Sequence, residues 1–180
     1  MSWHPRSFLV AFGLVVATLA SVLGQRPASN EEYRLKAAIV HRFPQFVEWP
    51  AAALSGRDAL EICVAEPNPL GDALGELTAG ESLYDRRIEV RYVSADQDIA
   101  SCHVLFIPAR APDKFLARTA SLPILTIGET DDFLNGGGII KLRVVDRKVR
   151  FEIDARAAAR AGLTLSSQLL RLASIVKGPR

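Results

Sequence analysis

The chain has 180 residues, 49% of them hydrophobic, and carries 22 Lys and Arg against 20 Asp and Glu. The two signs alternate along its length. The slight basic excess therefore excludes a nucleic-acid partner, which calls for a concentrated patch of Lys and Arg. The length suits one domain that can build a core without staples, and the sequence shows no internal repeat or low-complexity tract.

Arg6 precedes an uncharged, mostly apolar run from Ser7 to Leu23, after which the chain turns polar through Gln25 to Asn30. This is the layout of a secretory leader. A membrane-spanning helix needs about 20 strongly apolar residues, whereas Gly13, Thr18 and Ser21 dilute this run. Val22-Leu23-Gly24 and Thr18-Leu19-Ala20 both suit cleavage, and an uncleaved signal anchor is the alternative. Residues 1–24 are thus expected to be a signal peptide and residues 25–180 a single mature domain in an exported, thiol-oxidising compartment. Only Arg6 is lost with the leader, which leaves 21 basic and 20 acidic residues.

Ser29 with Glu32 forms a capping-box pattern that opens a helix, with Leu35, Ile39, Phe43 and Phe46 on one apolar face. Pro44 kinks or ends it, and Trp49-Pro50 closes the segment. Leu60 to Ala65 reads as a buried strand, and Asn68-Pro69 as the start of a helix through about Thr78. Strands follow near Arg87 to Val93, Cys102 to Ile107 and Ile124 to Ile127, with a helix from about Pro112 to Ala120 before the last. Strands alternating with helices predict an α/β domain with a mainly parallel sheet flanked by helices.

The chain then changes style. In IIKLRVV and KVRFEID, apolar Ile140, Leu142, Val144, Val149, Phe151 and Ile153 alternate with Lys141, Arg143, Arg150 and Glu152. Only Asp146 and Arg147 separate the two runs, which predicts a C-terminal antiparallel hairpin with one wet face. Two helices follow, near Ala155 to Ala161 and Ser166 to Val176, the second with Leu169, Leu172, Ala173 and Val176 on one face.

Cys63 and Cys102 are the two cysteines, and an even count in an exported chain points to a disulfide. Their spacing is too long for a CxxC redox motif and unlike paired metal ligands. Two buried free thiols are the alternative.

Residues that could carry catalysis are better explained otherwise. Gly136, Gly137 and Gly138 come before a strand, not before a helix as a phosphate cradle requires, and suit a helix stop. Asp131 and Asp132 follow Thr130, where carboxylates complement a helix start. His103 adjoins Cys102 on a strand, so their side chains diverge, and His41 has no acidic or cysteine partner at ligand spacing. Ser166 and Ser167 lack a nucleophile elbow and suit capping.

The succession KAAIVHRFPQFVEWP, EICVAEPNPLGDALGEL, CHVLFIP, PILTIGE, GGGIIKL, KVRFEID and AGLTLSSQLLRLASIV resembles the YfiR family of periplasmic proteins over about Glu32 to Val176. The resemblance implies a compact α/β sandwich that is not an enzyme and carries no cofactor or metal. It implies a repressor that binds the periplasmic sensor domain of an inner-membrane diguanylate cyclase, lowering cyclic-di-GMP and biofilm formation. Cys63 and Cys102 sit where the family's core disulfide falls. The type member has a second cysteine pair near the hairpin, whereas residues 136–151 here contain none.

A repressor needs differential affinity for one state of its partner. Phe151, Leu169 and Leu172 are the candidate contacts, with ordinary core packing as the alternative. A second copy of the chain is the other candidate partner. Two further functions stay open. One is a small-ligand module at the strand ends near Glu66 to Asn68 and Gly128 to Thr130. The other is an exported enzyme, which needs titratable residues converging in one pocket.

Overall fold

The computed structural model describes residues 30–111, 114–146 and 148–178. The expected leader and its cleavage sites, the Ser29 cap, Pro112 and Arg147 lie outside the described residues. Helix α1, Asn30–Arg42, carries Glu31 and Glu32 in its first turn and His41 and Arg42 in its last, matching the helix dipole. A 3-10 turn at Phe43–Phe46, with Pro44 inside it, ends the helix. Then come β1 Val47–Glu48, α2 Ala51–Leu54, β2 Ala59–Ala65, α3 Ala73–Thr78, β3 Ser82–Leu83 and β4 Arg86–Val93. They are followed by β5 Val104–Ile107, α4 Lys114–Ala117, β6 Leu125–Gly128, β7 Ile140–Val145 and β8 Lys148–Asp154. The chain closes with α5 Ala155–Arg160, β9 Thr164–Leu165, α6 Ser167–Leu172 and β10 Ile175–Lys177.

Eight strands form one sheet in the order β10-β8-β7-β6-β5-β2-β4-β3, while β1 and β9 make a separate two-stranded ribbon. The run from β4 to β7 is parallel, and β7 and β8 form the antiparallel hairpin that alternation predicts. Central strands have both faces buried, which is why β5 and β6 read as continuous apolar runs. Leu60, Ile62, Val64, Phe106 and Ile127 face a core closed by Ala37 and Val40 of α1, Leu74 of α3 and Leu169 of α6. Cys63, Ala65, Leu105 and Ile107 face a smaller core with Phe115 and Phe133. The period of two along each strand sorts residues between these cores.

Several local expectations are corrected. Leu35 is exposed, because α1 turns Lys36 inward to contact Glu129 and, at 2.7 Å, Glu32. Burial alone would lower the Lys36 pKa, but hydrogen bonds to Glu129 and Glu32 outweigh it and hold the ammonium above its usual range. The third helix begins at Ala73, not at Asn68. Asn68 Oδ1 accepts the Leu70 N–H at 2.9 Å and its Nδ2 donates to the Gly71 carbonyl at 3.0 Å, a side-chain turn that leads into the left-handed Gly71 (φ 56°). Residues around Asp131 and Asp132 form turns instead of a helix, so these exposed carboxylates cap nothing.

The hairpin's charged face is not uniformly wet. Lys141 and Glu152, opposite each other in register, are both buried and paired at 3.3 Å, and Arg143 reaches the other Glu152 oxygen at 3.3 Å. At the end of β8, Asp154 accepts the N–H groups of Arg156 (2.9 Å) and Ala157 (3.1 Å). The residue that ends the strand therefore caps α5. The last helix is short, because the Ser174 N–H and hydroxyl both donate to the Phe151 carbonyl at 2.8 Å and turn Ile175–Lys177 into a strand on β8. Ala173 and Val176 are therefore not on its face.

Gly128 and Gly138 flank the buried Phe133 ring so closely that a Cβ at either would lie 2.2 Å from a ring carbon. The glycine run thus supplies room for an aromatic side chain where a helix stop was expected.

Candidate functional site

Cys63 lies mid-strand on β2, opposite Leu105 of β5, and Cys102 lies just before β5. The structure joins them in a disulfide, with Cα atoms 5.8 Å apart and both residues buried. A polar clasp closes over the bond. Arg91 on β4 donates to Glu61 Oε2 (3.1 Å), to Ser101 Oγ (2.7 Å) and to the Cys102 sulfur (3.5 Å). Ser101 Oγ also donates to Glu61 (2.8 Å). Glu61, Cys63 and Cys102 lie close enough to suggest metal ligands, but the two sulfurs are bonded to each other.

The histidines have separate structural partners. His103 Nδ1 accepts the Glu61 N–H at 3.0 Å, which leaves the ring proton on Nε2 to donate to the Ala53 carbonyl at 3.2 Å. Burial pushes the His103 pKa below its usual value, despite the opposing Ala53 bond. A histidine with a depressed folded pKa stabilises the protein fully above about pH 6.5, the unfolded value, and this contribution is lost as pH falls towards the folded pKa. We expect His103 to remain neutral in NMR titrations at pH values where an unfolded-state histidine is protonated. The acid-side loss of stability should shrink in His103→Gln, and a His103 ring titrating at the ordinary value overturns this. His41 Nε2 meets Glu81 at 3.0 Å, an acidic partner 40 residues away that spacing along the chain did not show.

The strand order reverses between β2 and β5, and in parallel sheets ligands bind beyond the strand ends at that point. There an open hollow of about 540 Å³ is lined by Glu66, Pro67, Asn68, Ser94, Ala95 and Arg110. Gly128 to Thr130 does not join it. Glu129 is held by Lys36 and by the Ala109 N–H (3.2 Å), while Thr130 borders a separate hollow with Ile107, Asp132 and Phe133. The structure thus divides the expected ligand crevice in two.

The three candidate partner contacts also separate. Leu169 is a core residue with 1% exposure, and its N–H is capped by Ser166 Oγ at 3.2 Å. Phe151 is half-buried and stacks edge-on against Phe43, ring centroids 5.2 Å apart. Only Leu172 faces solvent freely, at 62% exposure. Ile175, at 51%, joins it as an exposed apolar residue. Ile175, but not Leu172, lines a groove of about 590 Å³ together with Leu170, Arg171, Ala173, Ser174 and Val176. Ile175 was missed because a helical reading of 166–176 conceals an edge strand.

The profile of the YfiR/HmsC-like family matches residues 33–174, from the first helix to the turn before β10. The chain belongs to that family. No curated protein matches it significantly. Membership in the YfiR/HmsC-like family agrees with the α/β sheet and the buried cysteine pair. Among the described residues no helix is long and apolar enough to cross a membrane.

Proposed function

We propose that this chain is a non-catalytic periplasmic regulator. It is exported by a cleaved leader over residues 1–24, leaving residues 25–180 as the mature domain. It binds the periplasmic sensor domain of an inner-membrane diguanylate cyclase and favours that enzyme's inactive state, which lowers cyclic-di-GMP and biofilm formation. The observation that carries this reading is the match to the YfiR/HmsC-like family across nearly all of the described chain. The exposed Leu172, and the exposed Ile175 on the rim of its groove, supply a docking surface in place of the buried Leu169 and the packed Phe151.

Deleting the gene should raise cyclic-di-GMP several-fold and increase surface attachment, and deleting the cyclase as well should restore the original level. Unchanged cyclic-di-GMP in the single deletion, with the cyclase expressed, sinks repression. A second reading, a small-ligand module, is favoured by the hollow at the β2/β5 reversal with Arg110 on its rim. Saturable ligand binding with no effect of the deletion on cyclic-di-GMP supports it instead.

A further inference from the structure

One face of the last three strands of the sheet is strongly basic. Register places Lys141, Arg143, Lys148, Arg150 and Lys177 on the face turned from the larger core, with Glu152 and Asp154 as the acids among them; Lys141, Glu152 and Asp154 are buried there, while Arg143, Lys148 and Arg150 are exposed. Both acids are already engaged. Glu152 pairs with Lys141 and Arg143, and Asp154 caps α5. Among the described residues no carboxylate pairs with Lys148, Arg150 or Lys177, and Lys177 donates to the neutral Asn135 side chain at 2.9 Å. Ile175, half exposed, lies on this same face.

The same strands end in an open edge. β10 has β8 on one side and, among the described residues, no strand on the other. The Asp154 N–H donates to Ile139 on the β7 side, so by alternation Phe151 and Ile153 bond towards β10. Ile175 and Lys177 answer them, which leaves the Val176 N–H and carbonyl pointing outward.

We propose that this open edge and basic face form a docking site for an extended, acidic segment of a protein partner, added as a strand beside β10. The proposal deepens the regulatory reading above and rests on it. An added strand places alternate side chains on opposite faces, one row towards the apolar groove at Leu170 and Val176 and the other over Arg150 and Lys177. The segment that fits alternates aliphatic and acidic residues. A second copy of the chain is the poorer occupant, because a two-fold contact along this edge brings the same unpaired cations together. An anionic membrane is poorer too, since among the described residues only Ile175 and Val145 are large apolar side chains exposed beside these cations, and the edge offers backbone groups a bilayer cannot use.

The test uses a fluorescent nonapeptide of alternating glutamate and valine, with its lysine–valine counterpart as control, against the mature chain. The glutamate peptide should bind saturably and weaken with added salt. It should weaken at least ten-fold for Lys148→Glu/Arg150→Glu, whose side chains are exposed, and for Val176→Pro, which removes the outward N–H. Equal binding of both peptides, or binding only to anionic vesicles, overturns the proposal. So does dimerisation of the chain that the double charge reversal abolishes. In cells the two readings separate. If the double variant still lowers cyclic-di-GMP in the deletion strain, the edge proposal fails and repression stands. If the wild-type chain does not lower it, the regulatory reading fails, whatever the peptide does.

Discussion

Replacing both Cys63 and Cys102 by alanine should lower the unfolding free energy by about 4 kcal/mol, the loop-closure entropy released when a crosslink across 39 residues is removed. The double substitution is the cleaner form. A single Cys63→Ser puts an unpaired hydroxyl into a site with no exposure and adds a desolvation cost of its own. Urea unfolding measures the effect, and the wild-type chain fully reduced should unfold near the double variant. A midpoint unchanged by both treatments overturns the prediction. Arg91→Gln should have a much smaller effect, because its clasp with Glu61 and Ser101 is partly exposed.

Gly138→Ala should cost about 3 kcal/mol, and Gly128→Ala a similar amount. Either methyl group would enter the space that the Phe133 ring occupies. Phe133 is buried against Leu134, Phe115 and the strand ends of the smaller core, so it has little room to retreat. A double-mutant cycle separates crowding from a general intolerance of side chains there. Phe133→Ala is itself destabilising, but Gly138→Ala added to it should be nearly neutral, giving a coupling of about 2 kcal/mol or more. Strict additivity of the two substitutions counts against the steric account.

The sheet was legible because its strands are written redundantly. LEICVAE, HVLFIP and ILTIG are apolar runs with helical segments between them, and the two hairpin strands alternate cleanly, so neither needs knowledge of its neighbours. The misread elements depend on distant partners. Residues 175–177 become a strand only because β8 offers an unfilled edge, and Lys36 turns inward only because Glu129 waits 93 positions away. The turn at Asn68 replaced a plausible helix start through side-chain bonds that compete with the helix. For the candidate site, the apolar character of Leu169 and Leu172 was visible, but which of them faces solvent depended on where α6 stops.

Asp154 leaves no slack between the hairpin and the helix behind it. The residue that ends β8 also holds the first turn of α5, and Lys177 of the outermost strand lies beside it in register. A force applied along β10 therefore has no flexible linker in which to dissipate before it reaches α5. From there it passes to Ala157 and Ala158, which are embedded in the larger core, and to β9, which pairs with β1 close to the end of the first helix. Mechanically the C-terminal edge is a handle fixed to the frame. Load placed on it by a bound protein is shared by the domain as one body.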